Sequence, residues 1–565
     1  MKRQTSRRDP RPAPAREARR ADGREPEVAA REPEEAAREL SRLLEARGEW
    51  LVREGANARA VALRRGEWEV GVAAGALALS YWGEDGPRLW RVENWETRGD
   101  GLRLAASRRT GAVRATLELV PRAAAAETSA VVRAARLSVC ERLAQLVAGH
   151  AGLRVESARL SAGARRGEPG RYARVCLRCG DETGGAGGGA RRRGRRGGRA
   201  RGRASAREVL ATGPVVPPGT VEPESFLASA LLWLARYDER PPGRAGVAAP
   251  RRELWLASDA KLAAAVGERL ALLCPSLAGR VVLLEHDEEL REMMPAPRPT
   301  LPELLARPAP RLFRPKPPEP GTLFESLTSL APEAIDVVRS RHGETLRFRG
   351  LPFARARRVA GRESVWFGAG AGPRRRLLGE GNKEELLKLV ADLSEHRRAD
   401  APERRHHFYR AAPEAWLESL LRRDITRLDP GLRLAPLHAQ FRASPADASR
   451  AARPVDLLAL RRDGRLVVIE LKVSEDAAFA LQAADYWRRI YTHHRAGHIR
   501  RAGLFDDADI SDEPPLVYLV SPMLRFHRQF ETLARSITPE VEMYRFDLNE
   551  DWRAGVRVAR RARVV

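Results

Sequence analysis

The chain has 565 residues, of which 43% are hydrophobic, so its length and composition suffice for several domains with separate cores. No apolar run approaches the roughly 18 residues of a membrane-spanning helix, and four cysteines are too few for a disulfide framework. We therefore expect a cytoplasmic protein with no membrane partner. The formal net charge of +26 predicts a polyanionic partner, most often nucleic acid, and leaves the oligomeric state open.

Arginine supplies almost all of the positive charge, because only six of the 101 basic residues are lysines. Nine arginines lie in residues 191–207, with no acidic residue among them. The excess fits phosphate binding and equally fits mutational pressure on codons. Because lysine is so rare, a lysine inside a motif carries more information here than in an average protein, and Lys472 is such a residue.

The first part of the chain predicts a tail and then a small domain. Residues 1–32 lack apolar periodicity, which indicates a disordered basic tail. Residues 33–125 predict a helix followed by β-type runs punctuated by Gly, Asp and Asn, the pattern of an antiparallel meander. Core packing and stacking on unpaired bases are both open for the four tryptophans of these runs, which are Trp68, Trp82, Trp90 and Trp95.

Residues 130–285 give the element order α-β-β-β-α-β-α-β, typical of an α/β domain. A Gly/Arg-rich insert at 180–206 interrupts it, and we expect this insert to be disordered and to hold phosphates loosely. Cys176 and Cys179 have a spacing that can bind zinc. No second cysteine pair exists, and residues three apart in a strand point to opposite faces, so we do not expect a zinc site.

The second half of the chain is predicted to hold a linker, a connector and one more α/β domain. Residues 286–322 are proline-rich, which indicates a linker or an extended wrap, and 323–410 form a small mixed connector. Residues 411–550 repeat the element order of 130–285, and 551–565 are expected to be a basic tail. The fold class is therefore α+β or α/β with several domains.

The strand predicted at 465–473 carries charge on one face only. Its odd-numbered positions are Val, Ile, Leu and Val, whereas the other face ends in Glu470 and Lys472. Open α/β sheets bind ligands at the carboxyl ends of their strands. A functional site and a simple ion pair on an exposed edge strand are therefore the two interpretations of this pair.

The preceding hairpin decides whether a second carboxylate joins Glu470. A two-residue loop at 463–464 sets Asp456 opposite Leu471, on the other face, whereas a three-residue loop at 462–464 sets it opposite Glu470. Gly464 at the third loop position favours the three-residue loop. Two carboxylates about 5 Å apart repel each other unless a cation lies between them, and Mg²⁺ accepts one or two carboxylates while keeping several waters.

The flanking helices offer further polar side chains. Gln482 and Tyr486 stand four residues apart, hence on one face of the helix predicted at 475–494. The helix at 413–425 offers Glu414 inside its apolar arc and Glu418 at the edge of that arc. Either of the two carboxylates can be the one that reaches the site.

Together these residues resemble the PD-(D/E)XK nuclease superfamily, and within it they are most similar to the catalytic domain of mismatch-specific endonucleases. The likeness covers about 410–548 and rests on Asp456, on Glu470-Leu471-Lys472 and on the helix motif Gln482-x-x-x-Tyr486, followed by a YLVSP strand. Val455 separates Pro454 from Asp456, which departs from the strict motif. The resemblance implies a restriction-endonuclease-like αβββαβ core with a mixed sheet.

The resemblance also implies an endonuclease that hydrolyses DNA with Mg²⁺ or Mn²⁺. It implies metal ligation by Asp456, Glu470, the Leu471 carbonyl and Glu414, a role for Lys472 at the attacking water, and support from Gln482 and Tyr486. The alternatives are a non-catalytic nucleic-acid-binding protein that keeps the fold, and a scaffold in a DNA repair or defence assembly. The intact carboxylates and lysine favour the enzyme.

The repeated element order raises the hypothesis that 130–285 is a second nuclease-like core without the chemistry. Aligning YARVCLRCG with PVDLLALRR places Arg174 where Asp456 stands, and the next strand, REVLATG, lacks Glu-x-Lys. A metal cannot bind where its carboxylate has become a guanidinium. The competing explanation is that this common element order occurs twice by chance, and strand order decides between them.

Overall fold

The computed structural model is that of a mixed α/β protein with several sheets, antiparallel and mixed, and thirteen α-helices in the residues it describes. It describes residues 32–564 with gaps at 47–48, 55–60, 64–65, 74, 84–85, 99–100, 109–113, 122–124, 164–167, 179–207, 240–251, 310–321, 341–342, 360–361, 370–375, 436–455 and 506–507. The tail at 1–31, the Gly/Arg insert and Cys179 lie outside the described residues. No helix in the described ranges is long and apolar enough to cross a membrane.

The N-terminal unit packs helix α1 (Pro33–Glu45) on a seven-stranded antiparallel sheet. Its strands are β1 (Trp50–Glu54), β2 (Val61–Leu63), β3 (Trp68–Ala73), β4 (Ala76–Gly83), β5 (Gly86–Arg98), β6 (Gly101–Ser107) and β7 (Arg114–Pro121). Strands β3 to β7 are neighbours in chain order. Trp90 is buried in the core of this unit and Trp68 and Trp95 pack against that core, so these tryptophans serve packing.

A first lobe follows, with a six-stranded mixed sheet in the order β8 to β13. Its strands are β8 (Arg154–Ala162), β9 (Pro169–Arg178), β10 (Glu208–Pro214), β11 (Arg252–Asp259), β12 (Val281–His286) and β13 (Met293–Pro295). Its helices are α2 (Ala125–Ala151), α3 (Pro223–Asp238), α4 (Ala260–Leu270), α5 (Pro275–Ala278) and α6 (Leu301–Ala306). Part of the predicted linker at 286–322 is thus regular structure, because β13 pairs with β12.

The connector forms a five-stranded antiparallel sheet rather than an irregular segment. Its elements are α7 (Thr322–Ser329), β14 (Ile335–Ser340), β15 (Gly343–Phe348), β16 (Leu351–Val359), β17 (Arg362–Phe367), β18 (Arg376–Leu377), α8 (Lys383–His396) and α9 (His407–Arg410). Arg397 is buried and donates hydrogen bonds to the carbonyls of Phe348 and Phe408, which ties α8 to this sheet and to α9.

The second lobe has its own six-stranded mixed sheet, in the order β19 to β24. Its helices are α10 (Pro413–Arg423), α11 (Phe479–Arg495), α12 (His498–Arg501) and α13 (Phe530–Ala534). Its strands are β19 (Leu432–Leu434), β20 (Leu457–Arg461), β21 (Leu466–Leu471), β22 (Leu516–Pro522), β23 (Met543–Leu548) and β24 (Val558–Arg563). The prediction of a tail at 551–565 is wrong, since β24 pairs with β23 as the last strand of the sheet.

The two lobes share strand order and strand direction. In the first lobe the successive pairings from β8 to β13 are antiparallel, antiparallel, parallel, parallel and antiparallel. From β19 to β24 the sequence of directions is the same. Helices also fall at matching places, because α3 and α11 follow the third strand and α4 and α13 follow the fourth. This is the strand order that the repeat hypothesis requires.

The lobes pack against each other through matching elements. One continuous core contains Phe226 and Trp233 of α3 together with Phe479 of α11 and Phe530 of α13. Residue 273, just after α4, forms an antiparallel bridge with residue 537, just after α13. The Cys274 N–H donates to the Ser536 carbonyl and the Thr538 N–H donates to the Leu272 carbonyl, both at 2.9 Å. The contact therefore approximates a two-fold arrangement within one chain.

A buried charge network crosses the same boundary. Asp485 of α11 is 1% exposed and accepts from Arg269 of α4 at 3.0 Å and from Arg488 at 2.7 Å. Arg488 also contacts Glu268 of α4 at 3.0 Å. Burial raises the pKa of Asp485, but the surrounding guanidiniums outweigh it, so that the pKa lies below its ordinary value.

Candidate active site

The hairpin of β20 and β21 places the two carboxylates on one face. Leu457 pairs with Ile469 and Leu460 with Leu466, so Asp456 lies opposite Glu470. The loop closes with Gly464 at φ +81°, a left-handed conformation that glycine adopts without strain. This register is the one that the three-residue loop predicts, and the carboxylates converge as a result.

Asp456 is held against the end of β21. Its Oδ2 accepts a hydrogen bond of 2.9 Å from the Leu471 N–H. Burial and the neighbouring Glu470 carboxylate raise the pKa of Asp456 well above its ordinary value, against the opposing effects of this hydrogen bond and of Lys472. The half-buried Asp456 and the buried Glu470 thus repel each other, and a further cation would relieve that repulsion.

Lys472 is the cation that the chain itself supplies. Its Nζ donates to Glu470 Oε1 at 3.0 Å and lies 4.0 Å from Asp476 Oδ2. Burial lowers the pKa of Lys472, but the attraction of Glu470 outweighs it, and the pKa is raised overall. The side chain is therefore an ammonium at neutral pH, a hydrogen-bond donor with a full positive charge.

The pair does not lie on an exposed edge. Strand β21 is third in the sheet, between β20 and β22. Glu470 is 1% exposed and Lys472 is 9% exposed. The interpretation as a simple ion pair on an exposed edge strand is therefore wrong. A buried carboxylate and ammonium are costly to desolvate and contribute little net stability, so another reason for their presence is expected.

Helix α11 closes the site from the same face. Gln482 Nε2 donates to the Tyr486 hydroxyl at 2.9 Å, as their four-residue spacing allows. Tyr486 is buried, and burial together with the charges of Glu470 and Asp456 raises the pKa of its hydroxyl. Tyr486 is thus a neutral group beside the two carboxylates, and the structure brings both predicted helix residues to the site.

Of the two carboxylates on α10, the structure brings Glu418 and not Glu414 to Asp456. Glu418 is buried and its charge is one of those that raise the pKa of Asp456. Glu414 instead lies in the first turn of α10, where its charge acts on Arg553. The prediction of Glu414 as the helix carboxylate is corrected on this ground. The two residues are one helical turn apart, and the sequence alone did not show which of them faces Asp456.

Sequence reasoning missed the arginines around Glu418. Arg422 Nε donates to Glu418 at 2.8 Å, and Arg347 from β15 lies 3.9 Å from the same carboxylate. Arg422 also donates to the Asp456 carbonyl at 3.2 Å. An i, i+4 spacing on α10 could have indicated Arg422, but Arg347 comes from the connector and no local pattern points to it.

The donor set fits a hard divalent cation. Asp456 and Glu470 offer carboxylate oxygens, the ligands that Mg²⁺ and Mn²⁺ prefer. In the described part of the chain no group of three or more His, Cys, Asp or Glu side chains is arranged to hold a metal ion. Two carboxylates satisfy Mg²⁺, which keeps several of its waters, so the pair suits a partly hydrated ion.

Comparison with known proteins gives no further guide, since no family model, no curated protein and no solved structure matches this chain.

Proposed function

We propose that the protein is a metal-dependent nuclease that hydrolyses phosphodiester bonds of DNA, with its active site at the carboxyl end of β21. The observation that carries the proposal is the facing pair of carboxylates, the half-buried Asp456 and the buried Glu470, with the Lys472 ammonium 3.0 Å from Glu470. The element order α10, β19, β20, β21, α11, β22 supports it, because the resemblance to PD-(D/E)XK nucleases implies that order.

In this proposal each side chain of the site has a separate role. Asp456 and Glu470 would hold Mg²⁺ or Mn²⁺, which when bound supplies positive charge beside the scissile phosphate and favours ionisation of water. Lys472 donates hydrogen bonds, so it orients the attacking water and stabilises negative charge that develops on the phosphate. Gln482 donates a hydrogen bond of 2.9 Å to the Tyr486 hydroxyl, and this bond holds the two α11 side chains in place beside the carboxylates.

The charge of the chain supports a nucleic-acid substrate. The net charge of +26 attracts phosphate backbones, and phosphate contacts dominate affinity for nucleic acids. The resemblance favours DNA over RNA. The full-length protein is to be incubated with single-stranded, duplex, mismatched and branched DNA, and with matched RNA, in Mg²⁺ or Mn²⁺.

Two carboxylate variants and one control make this test specific. Glu470→Gln and Asp456→Asn remove a charge at the site, while Glu475→Gln removes an exposed carboxylate from the loop after β21. We expect cleavage by the wild type and by Glu475→Gln only. Mn²⁺ should raise the melting temperature of these two proteins but not of Glu470→Gln, since a ligand that binds the native state stabilises it.

The two alternatives predict different results. A non-catalytic nucleic-acid-binding protein binds DNA but cleaves none of the substrates in either metal. A scaffold shows neither cleavage nor a shift of the melting temperature with Mn²⁺. Absence of cleavage by the wild type on all substrates would therefore refute the nuclease proposal. Fluorescence anisotropy with labelled DNA would then separate the two remaining classes, since only the nucleic-acid-binding protein must bind it.

A further inference from the structure

The matching sheets allow a position-by-position comparison of the two lobes. In the parallel pairings, Thr212 of β10 lies opposite Leu256, and Glu470 of β21 lies opposite Leu519. Two residues beyond those leucines each lobe has a fully buried serine, Ser258 or Ser521. Thr212 therefore holds the place of Glu470.

The neighbouring strand gives the second equivalence. Thr212 pairs with Arg174 of β9, as Glu470 lies opposite Asp456. The Thr212 hydroxyl donates to the Ala173 carbonyl at 2.6 Å, so it is engaged within the sheet. An arginine and a threonine thus replace the two carboxylates, and the first lobe has no ligands for a metal at this position.

The helix that follows the third strand contacts this position in both lobes, α3 in the first and α11 in the second. Arg174 Nη2 donates to Ser229 Oγ at 2.6 Å and its guanidinium lies 4.6 Å from the ring centre of Trp233. Ser229 and Trp233 are four apart on α3, as Gln482 and Tyr486 are on α11. The helix that packs on the third strand therefore presents two side chains four residues apart in both lobes, whereas the facing position is a cation, Arg174, in the first lobe and a carboxylate, Asp456, in the second.

Two more arginines flank Arg174. Arg159 pairs directly with it across β8 and β9, and Arg236 of α3 acts on it electrostatically. Both are exposed, whereas Arg174 is 8% exposed. Among the described residues none of the three forms an ion pair with a carboxylate, and Arg174 Nη1 is buried without a hydrogen-bond partner. Burial, with the two neighbouring guanidiniums, lowers the pKa of Arg174 to about 10.

We infer that Arg159, Arg174 and Arg236, hereafter the arginine triad, bind a phosphate group of the nucleic-acid backbone at the place that corresponds to the metal site of the second lobe. A phosphate accepts several N–H···O hydrogen bonds at once, and the forked N–H groups of a guanidinium match its oxygens. Among the described residues no carboxylate forms an ion pair with the triad and competes for these donors. The inference rests on the proposed function for its ligand, nucleic acid, but not on cleavage by the second lobe.

The test measures binding of fluorescent duplex DNA by the full-length protein in EDTA, by anisotropy at several salt concentrations. The variant is Arg159→Gln/Arg236→Gln, which leaves the buried Arg174 in place. The matched control is Arg142→Gln/Arg154→Gln, two exposed arginines that form no ion pair in the described structure. Arg154 lies five residues from Arg159 on β8, and Arg142 lies on α2, which packs against the sheet face opposite α3.

We expect the triad variant to bind on the order of tenfold more weakly at moderate salt, with a slope of log affinity against log salt shallower by about 1. The control should differ much less in both quantities. Equal losses in the two double variants, or an unchanged slope in the triad variant, would overturn the inference, as would a wild type that binds no DNA.

A second arm separates the source of the phosphate. Inorganic phosphate should raise the melting temperature of the wild type less than DNA does. A rise with phosphate that the triad variant loses, without any change in DNA binding, would assign the site to a free phosphate and overturn the nucleic-acid inference. DNA binding that depends on the triad in a protein that never cleaves would leave this inference standing and refute the proposed nuclease activity.

Discussion

The two lobes have one strand order and opposite charge at the corresponding position of their sheets. In the second lobe Asp456 and Glu470 face each other beside Lys472, whereas in the first lobe Arg174 faces Thr212. Apolar residues of both sheets are buried in cores of the same kind. The difference teaches that the mixed sheet requires apolar faces and matching registers, and that it tolerates either charge at the position of its second strand that faces the end of the third, Arg174 in one lobe and Asp456 in the other.

The largest expected effect is on DNA cleavage, and it should differ between the lobes at the matching positions Glu470 and Thr212. Glu470→Gln should lower the rate of DNA cleavage on the order of 10³-fold or more, because it removes a charge that would hold the metal. Thr212→Val, the equivalent change in the first lobe, should leave the rate within about twofold, at a cost of about 1 kcal/mol for its lost hydrogen bond. Single-turnover cleavage and thermal melting measure the two quantities.

A comparable loss of cleavage in Thr212→Val, in a protein that still melts cooperatively, would break the comparison, because it would give the first lobe a share in the chemistry. Retained activity in Glu470→Gln would remove the second lobe as the site of cleavage.

Lys472 offers the next largest effect. Lys472→Met keeps the length of the side chain and removes its charge and its donors, and we expect cleavage to fall about 10²- to 10⁴-fold. DNA affinity in EDTA should stay within about twofold, because affinity comes from phosphate contacts spread over many arginines. Equal losses of affinity and rate would assign Lys472 to binding instead of to the reacting phosphate.

The contribution of the charge network between the lobes can be measured as a change in the free energy of unfolding. Asp485→Asn removes the carboxylate that Arg269, Arg488 and Arg489 share. We expect unfolding of the lobes to require about 3 kcal/mol less, because buried guanidiniums lose their counter-charge. Asp512→Asn, which removes an exposed partner of Arg500, should change stability by under about 0.5 kcal/mol. Calorimetry of both variants provides the measurement.

The same residue predicts a dependence on pH. The pKa of Asp485 in the folded protein lies below its ordinary value of 3.8. Its contribution to stability is therefore complete above that value and is lost as the pH falls through and below it. The wild type should lose stability more steeply than Asp485→Asn as the pH is lowered from about 5 toward 3. Parallel curves would show that the arginines do not lower the pKa of Asp485 in the folded protein.

The smallest effect concerns product distribution. Of the two matching positions only the one in the second lobe has a pair of carboxylates, so a nuclease built on it should cut one strand of a duplex per encounter. Supercoiled plasmid should therefore give nicked circles first and linear molecules later, as gel electrophoresis of a time course can show. Linear product from the first time point would mean that two chains act together or that the first lobe also cuts.

Much of the second lobe follows from local pattern. The alternation of residues in β21 and Gly464 in the loop predicted both the face and the register that bring Asp456 to Glu470, because a two-residue period and a turn type are local properties. The choice between Glu414 and Glu418 did not follow, because the rotation of α10 about its axis is set by packing against the sheet.

By itself the sequence determined the charged face of β21, the carboxylate pair and the repeated element order, since each depends on neighbours in the chain. Only the tertiary structure decided that Arg347 reaches Glu418, that β24 completes the sheet, and that Asp485 joins the lobes through Arg269. These contacts join residues far apart in the chain, and their partners are chosen by the shape and charge of surfaces that exist only after both lobes have folded.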